Sequence, residues 1–222
     1  MVRVAKYFMA GAGAGAGVLL SACQGAAQAP DAFAGTTTYI VHGYMAGPDD
    51  HWFEWLEREI EAGNGEAVRL DLPRSDDPDP RDWKEVLSET VGSPDRNTYI
   101  VAHSLGAITT LRYLSALEGH ERLGGVLLVS GFSGELATIP ALDSYMAEPF
   151  DAGKIRQMTD DRVIISAQDD PIVPHLQSKA LADEVGADFL SVETGGHFLA
   201  ADGFTEFPLV IHKLKAMVAK SN

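Results

Sequence analysis

Three residue types that together can activate a hydroxyl nucleophile stand at the ends of strand-like runs. Ser104 lies in Ala102-His103-Ser104-Leu105-Gly106, directly after Thr98-Tyr99-Ile100-Val101. Asp169-Asp170-Pro171 follows Val163-Ile164-Ile165-Ser166, and Gly195-Gly196-His197 follows Phe189-Leu190-Ser191-Val192. A serine hydroxyl is a weak nucleophile until a base takes its proton, and an imidazole base needs a carboxylate to orient it. A serine placed between a strand and a helix has the setting of a nucleophile elbow, a strained turn that lifts the hydroxyl clear of a sheet. Strand and helix approach closely there, so small residues are required two before and two after the serine. Gly106 meets that need, and Ala102 stands where glycine is usual. The competing reading of Ser104 is the N-cap of an ordinary helix. On the residues alone, either aspartate of the pair could orient His197.

A carbonyl attacked by such a serine develops negative charge, and two fixed N–H donors are needed to hold it. The amide of Leu105, next after the nucleophile, is one. The loop after the first strand, His42-Gly43-Tyr44-Met45, supplies the other, and the Tyr44 amide is the expected donor. A plain tight turn at His42-Gly43 is the alternative. The remaining histidines have simpler readings. His103 packs beside the elbow. His120 is solvated near Gly119. His175 and His212 sit on helices without an evident partner. His51 beside Asp49 and Asp50 suggests either a metal site or a helix cap, and the cap is favoured because three consecutive residues rarely converge on one ion. No Gly-rich dinucleotide fingerprint, phosphate loop or zinc-protease helix is present, so no metal or organic cofactor is expected.

The elements that must position these groups alternate strand and helix. Thr38–Val41, Ala67–Leu70, Thr98–Ala102, Gly125–Val129, Val163–Ser166 and Phe189–Val192 are short β-rich runs, several of them continuously apolar. Such runs fit strands buried on both faces. Between them lie helical faces: Trp52, Trp55, Leu56 and Ile60; Trp83, Val86 and Leu87; Ile108, Leu111 and Leu114; Leu176, Ala180 and Leu181; and Phe207, Ile211, Leu214 and Val218. Strands separated by helices predict a three-layer α/β/α sandwich on a mostly parallel sheet of about six strands. The three candidate side chains would then emerge at carboxyl ends of strands, where open α/β sheets place their sites. Gly131 to Asp151 has no clear period and predicts a small cap.

The 222 residues carry a net charge of −15, from 17 Lys+Arg against 32 Asp+Glu. That balance argues against a nucleic-acid partner, because binding phosphates requires clustered cations. The length suits one domain. The single cysteine cannot close an internal disulfide.

The N-terminus is a separate object. Arg3 and Lys6 precede the uncharged stretch Tyr7–Leu20, which has the form of a secretory signal and is short and glycine-rich for a spanning helix. Leu20-Ser21-Ala22-Cys23 resembles the lipobox of bacterial lipoproteins. That resemblance implies cleavage before Cys23, a lipid on Cys23 and a membrane partner through this anchor. Residues 1–22 are thus expected to be a signal peptide, 23–37 a flexible tether and 38–222 a single domain. The expected location is the bacterial cell envelope, periplasmic or outer-membrane-associated. An uncleaved anchor helix and ordinary cleavage near Ala29 are the alternatives.

Taken together, the elbow, Asp170-Pro171-Ile172-Val173-Pro174 and Gly196-His197-Phe198 resemble the α/β-hydrolase superfamily. Closer still is the family of small serine hydrolases typified by retinoblastoma-binding protein. Val41-His42-Gly43-Tyr44, His51-Trp52-Phe53-Glu54-Trp55-Leu56 and Leu128-Val129-Ser130-Gly131 carry that likeness, which runs from about Thr38 to the C-terminus. It implies a minimal α/β-hydrolase fold, and it selects Asp170 over Asp169 as the carboxylate. It also implies that Trp52 and Trp55 pack in the core. The implied activity is hydrolysis of small carboxylic esters by Ser104, His197 and Asp170 through an acyl-enzyme. An amidase or peptidase with the same residues, and a non-catalytic binding lipoprotein, are the alternatives.

Overall fold

The computed structural model of the protein describes residues 31–221. The signal peptide, Cys23 and the first part of the tether expected from the sequence lie outside the described residues.

Six runs form strands: β1 (Thr37–Val41), β2 (Glu66–Arg69), β3 (Thr98–His103), β4 (Gly125–Val129), β5 (Arg162–Ala167) and β6 (Asp188–Val192). They make one sheet in the order β2-β1-β3-β4-β5-β6, and every pairing is parallel. Every residue of β3 and β4 is buried, as the apolar runs at their centres require of central strands with helices on both faces. The edge strands β2 and β6 are only partly covered.

The helices are α1 (Phe53–Ala62), α2 (Pro80–Val91), α3 (Leu105–Ala116), α4 (Asp143–Met146), α5 (Ala152–Met158), α6 (His175–Val185) and α7 (Pro208–Ser221). Side chains of α1 and α7 form one core with one face of the sheet, and those of α2 to α6 form the other. The result is the three-layer α/β/α sandwich expected of a minimal α/β-hydrolase. Local chemistry sets the ends of its elements. Pro80 opens α2 with its φ already helical, and the Asp79 carboxylate accepts the Arg81 amide at 2.8 Å.

Three expectations need correction. The tether ends before Thr37, because Phe33 is fully buried in the α1/α7 core and its amide donates to the Gly63 carbonyl. Its single aromatic outweighs the Ala, Gly and Thr that surround it. Trp52 lies just before α1 rather than on it, and the buried helical face is Phe53, Leu56 and Ile60. Leu176 is 77% exposed, since α6 buries Ser178, Leu181, Ala182 and Val185 instead.

In this sheet β1 lies between β2 and β3, so the chain turns one way after β1 and the other way after β2. Diverging connections open a crevice at the carboxyl ends of β1 and β3. Those two ends carry His42-Gly43-Tyr44 and the Ser104 turn.

Candidate active site

The Ser104 turn is set by sterics. Ser104 has φ 52° and ψ −122°, a conformation costing about 1–3 kcal/mol for a residue with a Cβ. It persists because both sides are fixed. The Ser104 amide donates to the Val129 carbonyl at 2.8 Å, continuing the β3–β4 ladder, and α3 starts at the next residue. A Cβ on Gly106 would lie 2.4 Å from the His42 carbonyl oxygen and 2.8 Å from that of Val41, so α3 crosses β1 at a distance only glycine permits. A Cβ on Gly43 would lie 2.9 Å from the Ser104 Cβ and 3.4 Å from the Leu105 nitrogen, which places the loop after β1 against the elbow. Ala102, at the position where glycine is usual, is fully buried within β3.

Ser104, His197 and Asp170 come together at this crevice. His197 Nε2 is 3.0 Å from Ser104 Oγ, and His197 Nδ1 is 2.8 Å from Asp170 Oδ2. A carboxylate can only accept, so Nδ1 carries the proton and Nε2 is left to accept from the serine hydroxyl. The Asp170 side chain is fully buried. Its Oδ1 accepts the amides of Ile172 and Val173, each at 2.9 Å, and Ser130 Oγ donates to its Oδ2 at 2.8 Å. Burial alone would raise the Asp170 pKa. The His197 hydrogen bond and charge, with the amides of Val173 and Ile172, outweigh it and hold the group below its ordinary value.

Asp169 plays a different part. It is exposed, and its Oδ1 accepts the amides of Gly195 and Gly196 at 2.8 and 2.9 Å. The Asp202 carboxylate accepts the amides of His197 and Leu199 at 2.9 and 3.1 Å. Trp52 Nε1 donates to the Phe198 carbonyl at 3.2 Å, and His103 Nε2 donates to the His197 carbonyl at 2.9 Å. The loop carrying His197 is therefore held along its length. Gly196, with φ 54°, turns it where a Cβ would strike the Asp202 carboxylate.

Two histidines packed beside the elbow, His103 and His42, resist protonation. Burial and the nearby His197 push His103 well below the ordinary histidine value, despite its bond to the His197 carbonyl. His42 is also lowered by burial, against the pull of the Gly43 carbonyl, Asp71 and Asp50. Its Nε2 accepts the Leu72 amide at 3.0 Å, so Nδ1–H donates to the Gly43 carbonyl at 2.9 Å. The His42-Gly43 turn is thereby tied to the segment after β2. The Tyr44 amide, beyond the end of β1, donates to no described group. Leu105 is the first residue of α3, so its amide has no acceptor within the helix.

A cavity of about 560 Å³ opens beside Ser104 and His197. Tyr44, Met45, Ala46, Ile139, Ile172 and Leu199 make most of its wall apolar. The small cap expected between Gly131 and Asp151 is a 3₁₀ turn (Pro140–Leu142) and α4, and it contributes Thr138 and Ile139 to the wall. Arg112 of α3 fastens it. Its Nη1 donates to the Tyr145 carbonyl at 2.7 Å, its Nε to the Glu148 carbonyl at 2.9 Å, and its guanidinium lies over the Tyr145 ring.

Two histidine expectations change. His51 neither caps α1 nor joins Asp49 and Asp50 on an ion. Asp49 pairs with Arg69, Asp50 accepts the Gly47 amide, and His51 Nδ1 accepts the Ala200 amide at 3.1 Å. His175 has partners after all, the hydroxyls of Ser166 and Ser191 at 3.2 and 3.3 Å. The contacts of Ser130 and Arg112 are not readable from the sequence, because each acts across a long stretch of chain, and no motif marks the short-range bond of Asp202 to the His197 amide.

A sequence model of the Serine hydrolase family matches residues 38–216. YdeN of Bacillus subtilis (strain 168) is 41% identical over 182 residues, covering 82% of this chain and 96% of YdeN. The crystal structure of the ydeN gene product superposes with a TM-score of 0.80 at 40% identity, over 83% of this chain and 99% of that one. Serine hydrolase RBBP9 of Rattus norvegicus is 27% identical over 173 residues, covering 75% of this chain and 86% of RBBP9. Alpha/beta hydrolase domain-containing protein 10 from mouse shares the fold, with a TM-score of 0.58 at 14% identity over 83% of this chain and 88% of the other. With these matches spanning the sheet, the elbow and the His197 loop, the chain belongs to the serine hydrolase family and has the α/β-hydrolase fold.

Proposed function

We propose that the protein hydrolyses small carboxylic esters through an acyl-enzyme formed on Ser104. The observation that carries this reading is the continuous hydrogen-bonded line from Ser104 Oγ through His197 to Asp170, at 3.0 and 2.8 Å. Ser104 Oγ attacks the ester carbonyl carbon as its proton passes to His197 Nε2. The carbonyl oxygen becomes an oxyanion, held by the amides of Leu105 and Tyr44. When the intermediate collapses, the bond to the alcohol oxygen breaks and that oxygen takes the proton from His197. A water then gives its proton to His197 and attacks the acyl carbon, and Ser104 leaves with the proton returned. Asp170 stays ionised throughout and stabilises the imidazolium. Each step uses groups of this chain and water.

The modest cavity and fastened cap favour short acyl and alcohol groups over long lipid chains. Hydrolysis of p-nitrophenyl acetate by the parent, Ser104→Ala and His197→Ala tests the assignment. Either variant should lose about 10⁴–10⁶-fold in turnover. A parent that cleaves matched anilides faster than esters would make the protein an amidase. A parent inert toward both would make it a binding module.

We also propose that Cys23 carries a lipid that holds the domain at a bacterial envelope membrane. Leu20-Ser21-Ala22-Cys23 behind an uncharged stretch is the support for it. Membrane association that persists in Cys23→Ala would contradict it.

A further inference from the structure

The cavity beside Ser104 holds a polar group that acyl transfer does not use. His51 lines it among Met45, Ala46, Ile139, Ile172 and Leu199. Its ring is fixed in place. Nδ1 accepts the Ala200 amide at 3.1 Å, and the ring packs edge-on against Phe53 and His103 with centroids 5.5 and 5.8 Å away. Its backbone, at φ 57°, is in the left-handed region, so the surroundings impose the conformation. The loop before it is tied down by the Asp49–Arg69 pair, by Arg69 Nη1 donating to the Pro48 carbonyl at 2.9 Å, and by Asp50 accepting the Gly47 amide at 2.7 Å.

Because Nδ1 is an acceptor, the proton of the neutral ring sits on Nε2. Burial lowers the His51 pKa, helped by His197 and His42 and opposed by Asp50 and Asp202, so the ring is neutral at pH 7. Among the described residues Nε2 has no protein partner and is not fully buried, and His51 lines the cavity. A fixed N–H donor in a mostly apolar wall orients a ligand through the acceptor the ligand brings. It also discriminates against a ligand of equal size that lacks one, because the donor then gives up its water for nothing.

His197 must hand its proton to the leaving oxygen. The alcohol half of the ester therefore lies on the His197 side of Ser104, and the loop from His197 continues through Leu199, which lines the cavity, to Ala200, whose amide holds His51. We propose that His51 is a specificity-determining residue whose Nε2–H donates to an oxygen carried on the alcohol half of the substrate. Preferred substrates are then esters of oxygenated alcohols such as glycols, glycerol or sugars, rather than of plain alkanols. This rests on the ester-hydrolysis reading above.

The test compares methoxyethyl acetate with butyl acetate, which have alcohol groups of equal length, with each rate divided by the alkaline hydrolysis rate of the same ester. The parent should prefer methoxyethyl acetate. In His51→Phe the ratio of kcat/KM for the two esters should fall about tenfold, chiefly through KM. His51→Gln, which keeps an N–H donor, should recover part of the ratio. A parent without the preference overturns the proposal whether or not the variants fold. So does a ratio unchanged in both variants. A change confined to an acyl-side pair, p-nitrophenyl methoxyacetate against p-nitrophenyl butyrate, overturns it too. Fluorophosphonate labelling of each protein separates the two readings. An unlabelled parent defeats ester hydrolysis itself, whereas a labelled parent with an unchanged ratio defeats only the role of His51.

Discussion

Ser130 Oγ and His197 Nδ1 both donate to the same oxygen of Asp170, Oδ2, each at 2.8 Å. Ser130 closes β4 with φ 48°, is fully buried, and its amide donates to the Ile165 carbonyl. The neighbouring strand thus aims a hydroxyl at the carboxylate that orients the imidazole. Ser130→Ala should lower kcat/KM roughly tenfold, the worth of about 1.5 kcal/mol for a hydrogen bond to a charged group. KM should change little, since Ser130 does not line the cavity. An unchanged kcat would remove Ser130 from the account.

The adjacent aspartates should separate cleanly. Asp170→Asn keeps the shape but presents an amide where an acceptor is needed, which favours the wrong imidazole tautomer. It should lower kcat by about 10⁴-fold. Asp169→Ala frees the amides of Gly195 and Gly196 at an exposed site and should cost no more than about tenfold. Steady-state kinetics on both variants decides between them, and a reversed order would move the orienting role to Asp169.

Much of this arrangement is legible in the sequence because it is local. The elbow is five consecutive residues after an apolar run, and the Asp170 and His197 loops directly follow their strands. The clamps are not legible, because they join distant segments. Trp52 reaches the Phe198 carbonyl, and Arg112 holds carbonyls of the cap. Periodicity also failed where one contact outweighed composition. Phe33 folds into the core from a stretch that reads as linker, and Leu176 is exposed because the covered stripe of α6 is offset from it.

Gly106 should tolerate no side chain. A Cβ there meets backbone oxygens of β1 rather than a movable side chain, so Gly106→Ala forces α3 away from the sheet. The expected cost is about 2–3 kcal/mol, a fall of roughly 4–12 °C in Tm. A thermal melt within error of the parent would refute the close approach.

Stability should fall on mild acidification. His103 is fully buried and its folded pKa lies well below the ordinary 6.5, whereas the unfolded chain titrates normally. Above that value both states are neutral and the residue contributes no pH dependence. Below it the unfolded state binds a proton that the folded state refuses, so stability declines as pH falls. Melts at about pH 7.5 and about pH 5.5 should show a drop in the parent that is smaller in His103→Gln. An equal drop in both proteins would place the titration elsewhere.

The central claim is that His197 and Asp170 make Ser104 nucleophilic. A fluorophosphonate probe followed by peptide mass analysis tests this without knowledge of the substrate. The account predicts one adduct on Ser104 in the parent, none in Ser104→Ala, and labelling of His197→Ala slower by orders of magnitude. Labelling of Ser104→Ala at the parent rate, or no labelling of a folded parent, would contradict it.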